Sequence, residues 1–184
     1  MIKLKSKDKT ILIFSIALTL LMIVNTVLFI RLTRLEKQVN ELFKPPEDVG
    51  LSVGEKVKDF NLLDINKKEI SLKDLNDKKL LLIFTTVGCE PCIELYDDIK
   101  ELENKHKNIN IAVIVNGPIE NIKKINKDYN FSSIILNDSE SLTSNAYKIN
   151  GFPFANLIDE NSILINKGFV NNIDDLENLL NITK

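Results

Sequence analysis

Thr85-Thr86-Val87-Gly88-Cys89-Glu90-Pro91-Cys92 holds the only two cysteines of a 184-residue chain, three positions apart. Two thiols at that spacing are half of a zinc site, a structural disulfide, or a redox pair that cycles between dithiol and disulfide. The flanking sequence gives them an address. Upstream, Lys79 to Thr85 contains Leu80-Leu81-Leu82-Ile83-Phe84, a short continuous apolar run of the kind expected for a strand covered on both faces. Downstream, Pro91 to Lys105 has helical spacing through Leu95, Ile99 and Leu102. The cysteines therefore stand where a buried strand hands over to a helix.

The same alternation continues on both sides. Ile109 to Val115 reads as a second buried strand, Pro118 to Tyr129 as a helix, Ser133 to Leu136 as a short strand and Ser141 to Ile149 as a helix. Phe60 to Leu63 and Glu69 to Leu72 flank the polar turn Asn66-Lys67-Lys68 as a hairpin. Phe154 to Asp159 and Ile163 to Phe169 form a second, antiparallel hairpin, and Asp174 to Ile182 closes the chain as a helix. The β-α-β-α order in the middle implies parallel strands with right-handed crossovers. The fold class is α/β, a central mixed sheet flanked by helices with an added N-terminal hairpin.

In such a sheet, sites form at the carboxyl ends of the strands, which is where Cys89 falls. A helix N-terminus carries about half a positive charge and unpaired N–H groups, both of which stabilise a thiolate. Cys89 is the expected nucleophile, and Cys92, one turn in, the resolving thiol. Gly88 permits the tight approach, and Pro91 suits a first helical turn. Glu90 and Pro91 oppose the stabilisation of the thiolate, one by its charge and one by its missing N–H. They are expected to tune the pair toward a reductant, nearer the roughly −270 mV of thioredoxin than the roughly −120 mV of a strong oxidant.

The other readings of the pair fit less well. Structural zinc takes four ligands, usually two such pairs, and the chain has no further cysteine and a single histidine, His106, in the run Asn104-Lys105-His106-Lys107, read as solvated. No metal and no cofactor is expected. A structural disulfide over three residues closes too small a loop to stabilise much. Composition adds an exclusion: with 44% hydrophobic residues, 27% charged residues and a net charge of −2, the chain lacks the basic face that nucleic acid requires.

Ile11 to Ile30 is uncharged, with Ser15, Thr19, Asn25 and Thr26 its only polar residues. Twenty residues at about 1.5 Å each span a hydrocarbon core of about 30 Å. No small-residue cleavage site follows, so the segment reads as an uncleaved anchor in the lipid bilayer. Lys3, Lys5, Lys7 and Lys9 precede it; Arg31, Arg34 and Lys37 follow, leaving only a mild preference for a cytoplasmic N-terminus. Leu32, Leu35, Val39 and Leu42 then repeat as a short coiled-coil seam that would favour a homodimer through residues 32–42. Lys44-Pro45-Pro46-Glu47-Asp48 ends that helix as a linker. The expected organisation is a basic N-terminus (1–10), an anchor (11–30), a juxtamembrane helix and linker (31–53) and a folded domain (54–184).

Residues 54–184 resemble the thioredoxin fold, and specifically the membrane-anchored thiol-disulfide oxidoreductases of the TlpA/ResA type within the redoxins. The resemblance is carried by VGEKVKDFNLLDINKKEISLKDL, LLLIFTTVGCEPC and GFPFANLIDENSILINKGF. It implies a cis-proline at Phe152-Pro153, facing the cysteines and holding substrate main chain. It also implies a domain outside the cytoplasm, a protein or peptide disulfide as substrate, and a membrane electron donor of the CcdA/DsbD type. Three positions depart from the pattern. Val87-Gly88 stands where relatives have tryptophan before the first cysteine, Asp97 stands where many have a proline, and Asn116-Gly117-Pro118 replaces an acid after the next strand, leaving Glu120 as the nearest proton shuttle. Val87-Gly88 is closer to variants attached to specialised maturation clusters than to cytochrome c maturation. Two further classes compete. Thr86-x-x-Cys89 matches part of a peroxiredoxin signature, although Leu82 replaces its proline. A copper-binding module of the Sco kind would want cysteines four apart and a distant histidine.

Overall fold

The computed structural model describes residues 6–42 and 49–181, with side chains described for 14–35 and 49–181. Lys3, Lys5, the linker at 44–48 and Ile182 lie outside the described residues. The chain divides into two compact units at residues 44 and 45, and each is taken by itself.

The first unit is one unbroken helix, α1 (Ser6–Leu42), about 55 Å long at 1.5 Å per residue. Within it Phe14–Leu35 is long and apolar enough to cross a membrane. Two threonines in this stretch bond back to their own helix: Thr19 Oγ1 donates to Ile16 O at 2.9 Å and Thr26 Oγ1 to Met22 O at 2.8 Å.

The second unit contains β1 (Asn61–Asp64), β2 (Glu69–Ser71), α2 (Leu72–Leu75), β3 (Leu80–Thr86), α3 (Glu90–Lys105), β4 (Asn110–Asn116), α4 (Ile119–Tyr129), β5 (Ile134–Asn137), α5 (Leu142–Ala146), β6 (Phe154–Ile158), β7 (Leu164–Phe169) and α6 (Ile173–Leu180). Seven strands form one sheet in the order β2-β1-β5-β4-β3-β6-β7. β3, β4 and β5 run parallel; β1 and β6 join them antiparallel. This is the mixed α/β, thioredoxin-like sheet expected from the sequence.

Period-two alternation along β3 explains why its apolar run is continuous. Leu80, Leu82 and Phe84 enter one core, with the segment before β1 and Tyr147. Leu81 and Ile83 enter the other, with Leu95, Ile99 and Leu102 of α3 and Leu176 of α6. Leu80 to Phe84 are all inaccessible to solvent. Burying side chains of this size contributes about 1.5–3 kcal/mol each.

Several boundaries differ from the sequence reading. Val49 and Leu51 are buried in the first core, so packing begins before residue 54. Leu72 starts the short helix α2 instead of ending a strand. The cause is a capping box, in which Asp74 Oδ2 accepts from Ser71 N at 2.8 Å. The helix expected over 141–149 stops at Ala146, because Tyr147 turns inward to donate to Lys58 O at 2.7 Å and Lys148 adopts φ 56°.

Candidate redox site

The sheet register assembles three turns at one edge. Thr86 at the end of β3 lies beside Asn116 at the end of β4, and Phe84 lies beside Phe154 at the start of β6. The turn after β3 is therefore flanked by the turn after β4 and by the residues that precede β6. Val87 N donates to Asn116 O at 2.9 Å, and Gly88 then takes φ 81°, a left-handed conformation that glycine adopts at no steric cost. Gly117 opposite has φ 146°, and a Cβ there would come within 2.5 Å of Val87 Cγ2. Asn137 Nδ2 holds this second turn by donating to Gly117 O at 2.9 Å.

Cys89 is the N-cap of α3, and its Sγ accepts from Cys92 N at 3.2 Å. The two cysteines are joined as a disulfide with their Cα atoms 5.3 Å apart. Cys89 is half-buried, whereas Cys92 is inaccessible. A substrate can reach one sulfur only. Glu90 and Pro91 are exposed in the first turn of α3, with Glu90 the only acid there.

The Phe152-Pro153 bond is cis, and Cys89 Sγ lies 3.9 Å from Phe152 O. A disulfide sulfur carries no proton, so this is proximity; once reduced, the Cys89 thiol becomes a donor to that carbonyl. Pro153 is buried and Phe152 packs on the first core. The sequence-predicted residues Cys89, Glu90, Pro91, Cys92, Phe152 and Pro153 thus share one edge of the sheet.

A cleft of about 240 Å³ opens beside this turn, lined by Val87, Gly88, Ile93, Ile125 and Tyr129, with Lys124 and Asp128 also in its wall. Ile93, one turn beyond Cys89, is 48% exposed. Tyr96 forms the base of the cleft, with its ring 5.0 Å from Tyr129 and 5.5 Å from Phe131 and its hydroxyl 3.2 Å from Thr85 Oγ1. Burial pushes the Tyr96 phenol above its ordinary pKa, against the Thr85 hydrogen bond. The sequence reading missed this cleft. The only trace of it there was an apolar residue, Ile93, off the core face of α3.

Glu120 and His106 are engaged with partners of their own. Glu120 is exposed and pairs with Lys123 at 3.1 Å. His106, expected to be solvated, is half-buried and its Nε2 meets Glu177 Oε2 at 2.8 Å, tying the end of α3 to α6. Asp97 is exposed.

A dithiol pair opened at a helix N-terminus, with one reachable sulfur and one sequestered, does thiol-disulfide exchange, and the protein is a thioredoxin-fold thiol-disulfide oxidoreductase. Within that class the chain belongs to the AhpC/TSA family, whose profile matches residues 53–171. It is 26% identical over 137 residues to the methylamine utilization protein MauD of Paracoccus versutus, covering 74% of this chain and 68% of that one. It is 26% identical over 120 residues to the thiol-disulfide oxidoreductase ResA of Bacillus cereus, covering 64% and 69%. Its fold is shared with the thioredoxin domain of a thiol-disulfide oxidoreductase from Bacteroides vulgatus, at a TM-score of 0.63, 23% identity and coverage of 71% and 96%.

Proposed function

We propose that this protein is a membrane-tethered reductant that passes two electrons from Cys89 and Cys92 to a disulfide in an extracytoplasmic protein or peptide. The observation that carries the reading is the asymmetry of the pair: Cys89 half-buried at a helix N-cap, Cys92 inaccessible behind it. In the reduced state the Cys89 thiolate attacks one sulfur of the substrate disulfide. A mixed disulfide forms, and the substrate's other sulfur leaves as a thiolate. Cys92 then loses its proton and attacks Cys89 Sγ, which breaks the mixed bond, releases the second substrate thiolate and restores the enzyme disulfide. The substrate ends with two thiols and the enzyme with one disulfide.

The Cys92 N–H that reaches Cys89 Sγ and the positive end of α3 both favour the thiolate. Phe152-Pro153 holds the substrate main chain against the reacting sulfur. Glu90 and Pro91 keep the potential low, so that electrons flow outward. The disulfide is re-reduced by a membrane donor of the CcdA/DsbD type. Residues 11–30 anchor the chain, with the N-terminus cytoplasmic and the catalytic domain outside. The relatives carry different names, a methylamine utilization protein for one and a thiol-disulfide oxidoreductase for another, so the names point to no single substrate. The cargo is a client of cytochrome c maturation or of a specialised maturation cluster, and Val87-Gly88 favours the second.

Pre-reduced protein mixed with a disulfide-linked peptide tests this. The expected result is one peptide disulfide reduced per enzyme disulfide formed, with little consumption of hydrogen peroxide in a parallel reaction. Fast peroxide turnover with the peptide untouched would establish the peroxidase reading instead. Protease added to intact protoplasts should remove the domain; survival until lysis would reverse the topology.

A further inference from the structure

We infer that the anchor helix is itself a dimerisation element, in which Asn25 of one chain hydrogen-bonds Asn25 of a second copy inside the bilayer. The inference rests on the membrane-anchor reading above. Polar side chains in a hydrocarbon layer must find partners, because no water is there to supply them. Thr19 and Thr26 meet that need within their own helix, each hydroxyl donating to a backbone carbonyl one turn back. Thr33, near the end of the apolar stretch, does the same toward Ile30 O at 3.0 Å. Asn25 does so only in part. One N–H of its amide donates to Leu21 O at 3.1 Å, while its second N–H and its Oδ1 have no partner among the described residues. Asn25 lies near the middle of Phe14–Leu35, where the remaining donor and acceptor are most costly.

Its position in the helix selects the occupant. The juxtamembrane row that starts at Leu32 and Leu35 repeats at alternating spacings of three and four. Carried toward the N-terminus in the same register, it passes through Leu28, Asn25 and Leu21. The helix is continuous from Ser6 to Leu42, so membrane and juxtamembrane rows form one uninterrupted stripe. Asn25 occupies an a-type position of that heptad, where a single buried asparagine fixes register and partner number. Two copies inserted with the same topology lie parallel, and a two-fold axis then places residue 25 opposite residue 25. An amide carries both donors and acceptors, so the pair is reciprocal: each Oδ1 accepts from the other chain's free N–H. A different partner protein would need its own amide at a matching depth, whereas a second copy supplies one by symmetry.

The full chain carrying Cys89→Ser and Cys92→Ser offers a background without other thiols. Single cysteines placed at Leu21, Leu28 or Leu32, and at Ile23 or Ile30 on the opposite face, are oxidised in native membranes. Cross-linked dimer is expected at 21, 28 and 32 and not at 23 or 30. Asn25→Val should lower the yield at 28 on the order of five- to tenfold, while Asn25→Gln keeps most of it. The proposal is overturned by equal cross-linking on all faces, by a row centred on Thr19 and Thr26, by a yield indifferent to Asn25→Val, or by no dimer in protein retained in the membrane. Protein recovered in the soluble fraction would sink the anchor reading and this inference with it. Disulfide exchange by the wild-type domain would stand in every one of these cases.

Discussion

The two ends of the central sheet are built on different principles. At the carboxyl edge of β3 and β4 the chain makes tight turns through Gly88 and Gly117, Ser141 enters α5 at φ 56°, and apolar Ile93 and Leu142 face solvent. At the opposite edge several polar groups are paired, although Ser133 Oγ and Asn76 Oδ1 are buried there without a partner among the described residues. Glu103 is 7% exposed, and its two oxygens accept from Ser132 N at 3.0 Å and Ser133 N at 2.9 Å. His106 meets Glu177, and Asn110 Nδ2 donates to Leu75 O at 2.7 Å. A polar cavity of about 370 Å³ lies among Asp74, Glu103, His106 and Ser133. One end accepts awkward backbone and exposed apolar surface, which a site that docks other polypeptides requires. The other holds strand and helix ends in place with side-chain hydrogen bonds to backbone from Glu103 and Asn110.

That contrast breaks first at the well-bonded end. Glu103→Ala should cost about 3 kcal/mol, because two backbone N–H groups lose a charged acceptor. Urea unfolding would show the fall in midpoint, and the reduction potential should be unchanged. A loss below about 1 kcal/mol would mean that water replaces the carboxylate. At the redox end, Gly117→Ala should cost about 2 kcal/mol and also slow exchange, since the added Cβ displaces Val87 beside the Cys89 turn. Stability and rate measured together decide this, and a slower rate without destabilisation would contradict it.

Smaller effects sharpen the comparison. Glu90→His replaces an acid in the first turn of α3 by a neutral or cationic ring, and should raise the reduction potential by about 30 mV, equivalent to about 1.4 kcal/mol for two electrons. Equilibration with glutathione reads this out, and a potential above about −180 mV in the wild type would already contradict a reductant. The smallest effect belongs to the core. Burial, aided by the nearby Asp59 carboxylate, holds the Tyr147 phenol far above its ordinary pKa, with its hydroxyl donating to Lys58 O. The raised native value means that this contribution is complete below the unfolded phenol's range near pH 10 and is lost as pH rises beyond it. Thermal scans from pH 8 to 11 should show a shallower alkaline decline in Tyr147→Phe, and parallel curves would count against the linkage.

The difference between the two ends also explains what could be read in the sequence. The redox edge is written locally: strand, glycine, cysteine pair and helix follow one another within Leu80 to Lys105, so Cys89 and Cys92 were visible at once. Phe152-Pro153 lies some sixty residues away and came from the resemblance; the structure places it against Cys89. The opposite edge depends on partners distant in the chain. Glu103 follows Leu102 on α3 with no local mark of its burial, since its donors are at Ser132 and Ser133. His106 reads as solvated because Glu177 is 71 residues off. Val49 and Leu51 were assigned to the linker for a similar reason: two apolar residues beside a proline pair have no period from which burial can be inferred. Ser71-x-x-Asp74 is a sequence mark of the α2 N-terminus, but it introduces a helix of a single turn directly after a strand.

Everything functional in this account depends on Cys89 attacking and Cys92 resolving. Membranes expressing full-length protein with Cys92→Ala or Cys89→Ala, separated on non-reducing gels with adducts identified by mass spectrometry, test that division directly. Cys92→Ala should accumulate mixed disulfides through Cys89, which also identifies the client, and Cys89→Ala should trap nothing. Adducts on Cys92 in the Cys89→Ala protein would reverse the assignment, and full activity in the double variant would refute the redox role of the pair.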